Sequence, residues 1–118
     1  MSADDSLARL TARVLRHRDE REWGQFHTPK ELAVSLCVEA AELLSLMQWK
    51  TGQQLTDALA QSREKVTDEV ADVLHSLLLL ASDLQIDLAT ALEQKLAKDA
   101  AKYPVEKAKG KNLKYTEL

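Results

Sequence analysis

The sequence has 118 residues, of which 45% are hydrophobic and 30% are charged, and it contains only three glycines and two prolines. This length fits one domain, and the composition excludes a fibrous or low-complexity chain and disfavours a sheet, which would need many turns. The net charge of −3 supplies no basic field, so we expect no nucleic-acid partner. The composition therefore predicts an all-α fold.

The chain also carries no signal for export or membrane insertion. The N-terminal MSADDS is acidic and lacks the apolar stretch of a signal peptide, and Cys37 is the single cysteine. The longest apolar run, Leu77 to Ala81, is too short to cross a bilayer. We therefore expect a soluble, cytoplasmic protein with no disulfide and no membrane partner.

Two helices are predicted in the first half of the chain. Leucines and valines at helical spacing, from Leu7 to Leu15, predict the first helix over about residues 5–22. After the interruption at residues 23–27, Thr28 offers a capping hydroxyl and Pro29 the first helical residue. The second helix is predicted to run from there to about Trp49, with Gly52 as its stop.

The second half is predicted to form the rest of a four-to-five-helix bundle. Residues 53–61 form a short helical connection, the third helix covers about residues 62–84, and the fourth runs from a cap at Asp87 to Pro104. The predicted helical domain is 1–104, and the lysine-rich tail 105–118 is expected to be extended or partly ordered.

The third helix is apolar over more than one side, which predicts a central position in the fold. Because a domain this small buries a limited share of its surface, we expect part of this apolar surface to pack against another copy of the chain, giving a homo-oligomer, either a dimer or a tetramer. Its apolar residues are Val66, Val70, Val73, Leu74, Leu77, Leu78, Leu80, Ala81 and Leu84.

Four acidic residues lie on or beside apolar helix faces. On a helical wheel, Glu39 points into the apolar face of the second helix, with four leucines within roughly 60° of it. Glu42 follows one turn later near the edge of that face, and Glu69 and Asp72 border the apolar stripe of the third helix. The four leucines are Leu32, Leu36, Leu43 and Leu46.

Four carboxylates brought together would repel one another and be costly to desolvate unless a cation neutralised them. Their all-oxygen donor set suits Mg²⁺, with Mn²⁺ as an alternative, better than zinc. Because Mg²⁺ keeps waters and shares substrate phosphates, this pattern predicts a phosphate-chemistry site in which Glu39 or Glu42 is the general base.

Other interpretations of these acids remain open. An ExxE or ExxD pair occurs by chance on many solvated faces, so Glu42 and Asp72 can be solvated edge residues, whereas Glu39 among leucines favours function. A ferritin-like di-iron protein would need two Glu-x-x-His pairs, and only Asp72-x-x-His75 approaches that pattern. A non-catalytic helical oligomerisation or nucleotide-binding module is the third possibility.

The ordered segments RDEREWGQFHTPKELAVSLCVEAAELLSLMQWK, EVADVL and KYPVEKAKGKNLKYTEL resemble the MazG-like all-α nucleoside triphosphate pyrophosphohydrolases, and more closely their dCTP pyrophosphatase branch. The resemblance covers the chain from about Arg18 to Leu118. It implies Mg²⁺-dependent hydrolysis of dCTP or modified deoxynucleoside triphosphates to the monophosphate and pyrophosphate, in nucleotide-pool cleansing.

The resemblance also implies individual roles. Glu39, Glu42, Glu69 and Asp72 would bind Mg²⁺, and Trp49 would line the base pocket. Lys95 would meet phosphate oxygens, although an exposed charge is equally compatible with its position. Phe26 can instead be a hydrophobic staple and Trp49 a core residue. The residues implied to form the nucleotide-contacting loop are Trp23, Gly24, Gln25, Phe26 and His27.

The chain departs from its relatives at three places. Asp99 replaces an asparagine that relatives often carry, and it either recruits a cation or is solvated. His75-Ser76 stands where closer relatives carry isoleucine and tyrosine, and Val14 matches a histidine that touches nucleotide in some relatives. Because the wheel places His75 opposite the apolar stripe, we expect it at the surface or in a subunit contact.

Overall fold

The computed structural model describes residues 3–118, with side chains from Ser6 onward, and every regular element in this range is helical. The all-α prediction is therefore confirmed. The helices are α1 (Ala3–Glu20), α2 (Pro29–Ser45), α3 (Gly52–Gln61), α4 (Arg63–Asp83), α5 (Leu88–Lys102) and α6 (Val105–Ala108), with short 3₁₀ helices at Trp23–Phe26 and Tyr115–Glu117.

The chain forms two compact units, one ending at Ile86 and the other spanning Asp87–Leu118. This division groups α5 with the lysine-rich tail, whereas the predicted helical domain 1–104 would separate them. The first two residues of that predicted domain lie outside the described part of the chain. The carboxylates and the loop predicted from the sequence all lie in the first unit.

The start of α2 follows the capping signals in the sequence. The Thr28 hydroxyl accepts a hydrogen bond from the Glu31 backbone N–H at 3.2 Å, and Pro29 is the first helical residue. The predicted end at Trp49 is wrong, because the helix stops at Ser45 and turns follow. Trp49 itself has a left-handed φ of 67°, which an α-helix cannot accommodate.

In the first unit, α4 packs most extensively on α2 and also contacts α1 and α3. Leu32 of α2 is buried together with a group of α4 residues, whereas Val70 and Leu74 of α4 remain exposed. Part of the apolar stripe that the sequence predicts on α4 therefore does not pack within the first unit. The buried α4 residues are Ser76, Leu78, Leu79 and Ala81.

In the second unit, the predicted cap of α5 is confirmed, since Asp87 Oδ1 accepts a hydrogen bond from the Thr90 N–H at 3.0 Å. The tail contains α6 and the 3₁₀ helix at Tyr115–Glu117. Tyr103 and Tyr115 meet edge to face with ring centroids 6.0 Å apart, and the Lys102 ammonium lies 4.9 Å from the Tyr115 ring centroid. These contacts tie the tail to the end of α5.

No single described helix combines the length and apolar character needed to cross a bilayer; α4 and α5 reach that level only when they are taken together as a bent pair.

Candidate active site

The packing of α2 on α4 brings the predicted acids together. One carboxylate oxygen from each of Glu39, Glu69 and Asp72 lies within 4.8 Å of the others. Glu39 and Glu69 are half-buried, and Asp72 is exposed. The predicted convergence of acids from the two helices is confirmed for these three residues, while their role as ligands stays a prediction. We call them the acidic cluster.

No salt bridge reaches the acidic cluster from the described part of the chain. Glu39 Oε2 and Glu69 Oε2 are buried and have no hydrogen-bond partner among the described residues. Burial, followed by the nearby charges of Glu42 and Asp72, raises the pKa of Glu39 from 4.5 to about 7. Burial and the Glu42 carboxylate also raise the pKa of Glu69. Such groups are stable as anions only if a cation reaches them.

Glu42 borders the cluster from the solvent side. It is exposed, yet its carboxylate contributes to the raised pKa of both Glu39 and Glu69. It therefore lies close to residues on both helices, as its position one turn after Glu39 predicts.

The residues present fit a hard divalent cation. Two buried, unpartnered carboxylate oxygens and an all-carboxylate donor set are what Mg²⁺ or Mn²⁺ prefers, and the exposed Asp72 leaves one side open to water or phosphate. The cation would be held by Glu39, Glu69 and Asp72, with Glu42 at the edge.

The loop before α2 presents aromatic surface to solvent. It begins at Glu22, whose φ of 56° is left-handed, and continues as the 3₁₀ helix. Gln25 Nε2 donates to the Glu22 carbonyl at 2.9 Å, and the His27 N–H donates to the Gly24 carbonyl at 3.1 Å. Phe26 is 65% exposed, which disfavours the staple interpretation.

The side chains of Trp23, in the loop, and Trp49 are also accessible to solvent. Trp23 is 44% exposed and Trp49 is 89% exposed, so Trp49 is not a core residue. Both rings are available for stacking on a flat ligand. Lys95 lies in the second unit, on α5, where its ammonium pairs with the Asp99 carboxylate. The roles implied for these residues stay predictions.

A group of histidines beside the acidic cluster was missed by sequence reasoning. The rings of His17 and His75 meet edge to face with centroids 5.8 Å apart, and the His17 ring lies 5.8 Å from that of Trp23. Burial, followed by His17, lowers the pKa of His75, while the nearby Asp72 opposes this shift. His75 is half-buried against α1, and the expectation that it lies at the surface or in a subunit contact stays a prediction.

The signal for this group was present in the sequence but ambiguous. His75 lies one turn after Asp72, which itself lies one turn after Glu69, so all three share one side of α4. His17 lies in the charged run at the end of α1, where a histidine resembles any solvated residue. His27 completes the group, and its buried Nδ1 has no hydrogen-bond partner among the described residues.

Fold and site together define an all-helical protein with a carboxylate cluster, suited to a divalent cation, between two packed helices. The sequence profile of the MazG-like family matches residues 34–118. A crystal structure of a pyrophosphatase from Archaeoglobus fulgidus DSM 4304 is similar to this chain with a TM-score of 0.79 and 37% identity, over 84% of this chain and 93% of that one. The chain belongs to the MazG-like family.

Curated relatives give a more specific comparison. The dCTP pyrophosphatase 1 of Rattus norvegicus is 37% identical over 101 residues, which cover 84% of this chain and 59% of the relative. The dCTP pyrophosphatase 1 of Homo sapiens is 38% identical over the same length, with the same two coverages. The chain thus spans about three-fifths of the length of these relatives.

Proposed function

We propose that this chain hydrolyses nucleoside triphosphates to the monophosphate and pyrophosphate with Mg²⁺, and that dCTP or a modified deoxycytidine triphosphate is its substrate. The observation that carries the proposal is that Glu39 Oε2 and Glu69 Oε2 are buried and have no hydrogen-bond partner among residues 6–118, so that a bound cation would offset their charge. The names of the similar proteins support the pyrophosphatase reaction and the choice of dCTP.

The residues of the acidic cluster and Glu42 have different roles in the proposed reaction. Glu39, Glu69 and Asp72 hold the divalent ion, which, when bound, offsets negative charge on the phosphates. Glu42 is exposed at the edge of the cluster, so it can face a water and the substrate together. We assign it the acceptance of the proton from the water that attacks phosphorus, because a general base must reach that proton.

The aromatic residues orient the nucleoside. Trp23, Phe26 and Trp49 are exposed, so their rings can stack on the base, and stacking positions a substrate while tolerating changes in the base. The unpartnered, buried His27 Nδ1 can hydrogen-bond the nucleotide.

A panel of nucleoside triphosphates, ordinary and modified, assayed for pyrophosphate with and without Mg²⁺, tests the activity. Glu39→Gln should reduce turnover at least about 100-fold and remove thermal stabilisation by Mg²⁺, with helicity intact. Glu42→Gln should reduce turnover while keeping that stabilisation. Asp68→Asn, an exposed acid of α4, should change neither.

Three results would count against the proposal. Retained turnover in Glu39→Gln would remove the acidic cluster from the reaction. A stabilisation by nucleotide without any release of pyrophosphate would identify a binding module instead. Loss of Mg²⁺ stabilisation in Glu42→Gln would make that residue a ligand rather than the base.

We further propose that the protein acts in the cytoplasm as a homo-oligomer and that its activity cleanses the nucleotide pool. Apolar side chains exposed on α2 and α4 support the assembly, because monomeric soluble proteins rarely leave large contiguous apolar patches uncovered. They are Val34, Val38, Leu44, Val70 and Leu74.

A further inference from the structure

Beside the acidic cluster, neighbouring side chains form a spatial series that runs from the acids to the aromatic loop. His75 lies near Asp72 on the same side of α4. The ring of His75 meets that of His17, with centroids 5.8 Å apart, and His17 meets Trp23 at the same separation. The two imidazoles therefore lie between a carboxylate of the cluster and an aromatic ring of the loop.

A bound nucleotide has the same order of parts. In the proposed function, on which this inference rests, the triphosphate lies at the acidic cluster and the base lies against the aromatic rings. The sugar connects the two, so it falls beside His17 and His75. Neither histidine is given a role by that proposed function.

The chemistry of the two imidazoles suits a hydroxyl better than a second anion. The ring of His75 is half-buried and meets the ring of His17 edge to face. A neutral imidazole has one N–H donor and one nitrogen acceptor. A sugar hydroxyl also donates and accepts, so each group can satisfy the other.

We propose that His17 and His75 bind the sugar of the nucleotide through a hydrogen bond to its 3′-hydroxyl, and thereby set the discrimination at the sugar. Neither residue takes part in the cleavage of the phosphoanhydride bond. The pair binds substrate, and its loss weakens recognition of the hydroxyl specifically.

Pairing each variant with a substrate that lacks the hydroxyl isolates this contact. Wild-type kcat/KM should fall about tenfold from dCTP to 2′,3′-dideoxy-CTP, which is the size expected for a lost hydrogen bond. His75→Leu and His17→Leu should lose about tenfold on dCTP and change little on the dideoxy substrate. His75→Gln, which keeps a donor and an acceptor, should retain part of the discrimination, and Arg16→Leu, an exposed neighbour on α1, should retain all of it.

An equal loss on both substrates in the leucine variants would indicate a merely structural role and would overturn the inference. So would a wild-type enzyme that does not distinguish the two substrates.

A binding measurement decides the matter even if no triphosphate is hydrolysed. The imidazole ¹⁵N signals of His17 and His75, followed by NMR without divalent ions, should shift on addition of dCMP and not of 2′,3′-dideoxy-CMP. Such shifts in a protein that releases no pyrophosphate would uphold the sugar contact and reject the catalytic function. Shifts with both nucleotides would place the contact on phosphate or base, and no shift with either would remove the pair from the site; both results would overturn the inference.

Discussion

At the scale of single residues, the carboxyl group of Glu39 is in conflict with its surroundings. Its Oε2 is buried and has no hydrogen-bond partner among the side chains that the structure describes, and the neighbours that shift its pKa, Glu42, Asp72 and Glu69, are all acids. The conflict is relieved by a proton or by a metal ion, and the two compete for the same oxygens. The stability of the protein should therefore depend on pH in one way without a divalent ion and in another way with it.

Without divalent ions, the protein should become less stable as the pH rises through about 7, the pKa of folded Glu39. The folded state holds this proton more tightly than the unfolded state, whose glutamate has its ordinary pKa, so the stabilisation is complete below about 4.5 and lost above about 7. Urea unfolding in a chelator at pH 5.5 and pH 8 measures the difference. Because other groups also titrate, Glu39→Gln is the reference variant. Its free energy of unfolding should fall less than that of wild type between pH 5.5 and pH 8.

Mg²⁺ should stabilise the protein more at pH 8 than at pH 5.5, which is the opposite of the pH dependence expected without divalent ions. The reason is that Mg²⁺ replaces the proton on Glu39. If wild type and Glu39→Gln gave the same pH profile, the conflict at Glu39 would not exist.

Trp49 tests the stacking role independently of the acids. Because its side chain is 89% exposed, Trp49→Ala should leave the free energy of unfolding within about 0.5 kcal/mol of wild type. It should weaken nucleotide binding by about 1–3 kcal/mol, the usual contribution of base stacking. Isothermal titration with dCMP measures the affinity, and Trp49→Phe should restore most of it. Undiminished affinity in Trp49→Ala would exclude the ring from the base site.

At this scale the acids could be predicted from the sequence, and the contact between His17 and His75 could not. Glu39 among leucines breaks the binary pattern of its helix, which is a local signal. His75 depends on which side of α4 packs against α1, and α4 is apolar on more than one side. A wheel finds the broadest apolar surface, which includes the exposed Val70 and Leu74, and it gives no sign that His75 contacts His17 of α1.

At the scale of elements, helix starts were easier to predict than helix ends. Thr28 and Asp87 cap α2 and α5 through side-chain acceptors, which are visible in the sequence. Helix α2 ends at Ser45, and its C-cap is Leu46 in a right-handed conformation, where glycine or asparagine would be the usual signal. The next left-handed residue is Trp49, in the turns that follow the helix, so no local signal marks where α2 ends.

The contact between Arg18 and Asp83 connects α1 to the end of α4. Arg18 Nη1 lies 3.3 Å from both carboxylate oxygens of Asp83, and the two side chains are 13% and 21% exposed. Asp83→Asn leaves the mostly buried guanidinium to the exposed Asp19 carboxylate, 3.9 Å from its Nε, so it should lower the free energy of unfolding by about 2 kcal/mol. Urea denaturation measures the change.

The exposed pair of Lys30 and Glu31, with side chains 79% and 50% exposed, is the control. Lys30→Ala should change the free energy of unfolding by no more than about 0.5 kcal/mol. A similar small effect of Asp83→Asn would show that the Arg18 contact does not hold α1 on α4.

At the scale of the whole molecule, the sequence predicts helices but not how they group. The boundary predicted at residue 104 rested on Pro104 and on the composition of the tail, whereas the compact units divide at Ile86. Pairs such as Tyr103 with Tyr115 and Lys102 with Tyr115 join the tail to α5. Contacts of this kind leave no periodic signal in the chain, so composition alone could not reveal them.

The exposed apolar side of α4 should be covered by another copy of the chain. Leu74 is 40% exposed and belongs to the stripe that the sequence marks as apolar, so in an assembly it would be desolvated. Leu74→Glu would place a charge in that contact, at a cost of several kcal/mol, and should convert the oligomer to monomers in light scattering with helicity retained. Thr56→Glu, an exposed position on α3, should leave the mass unchanged. A wild-type protein that is already a monomer in light scattering would contradict this prediction.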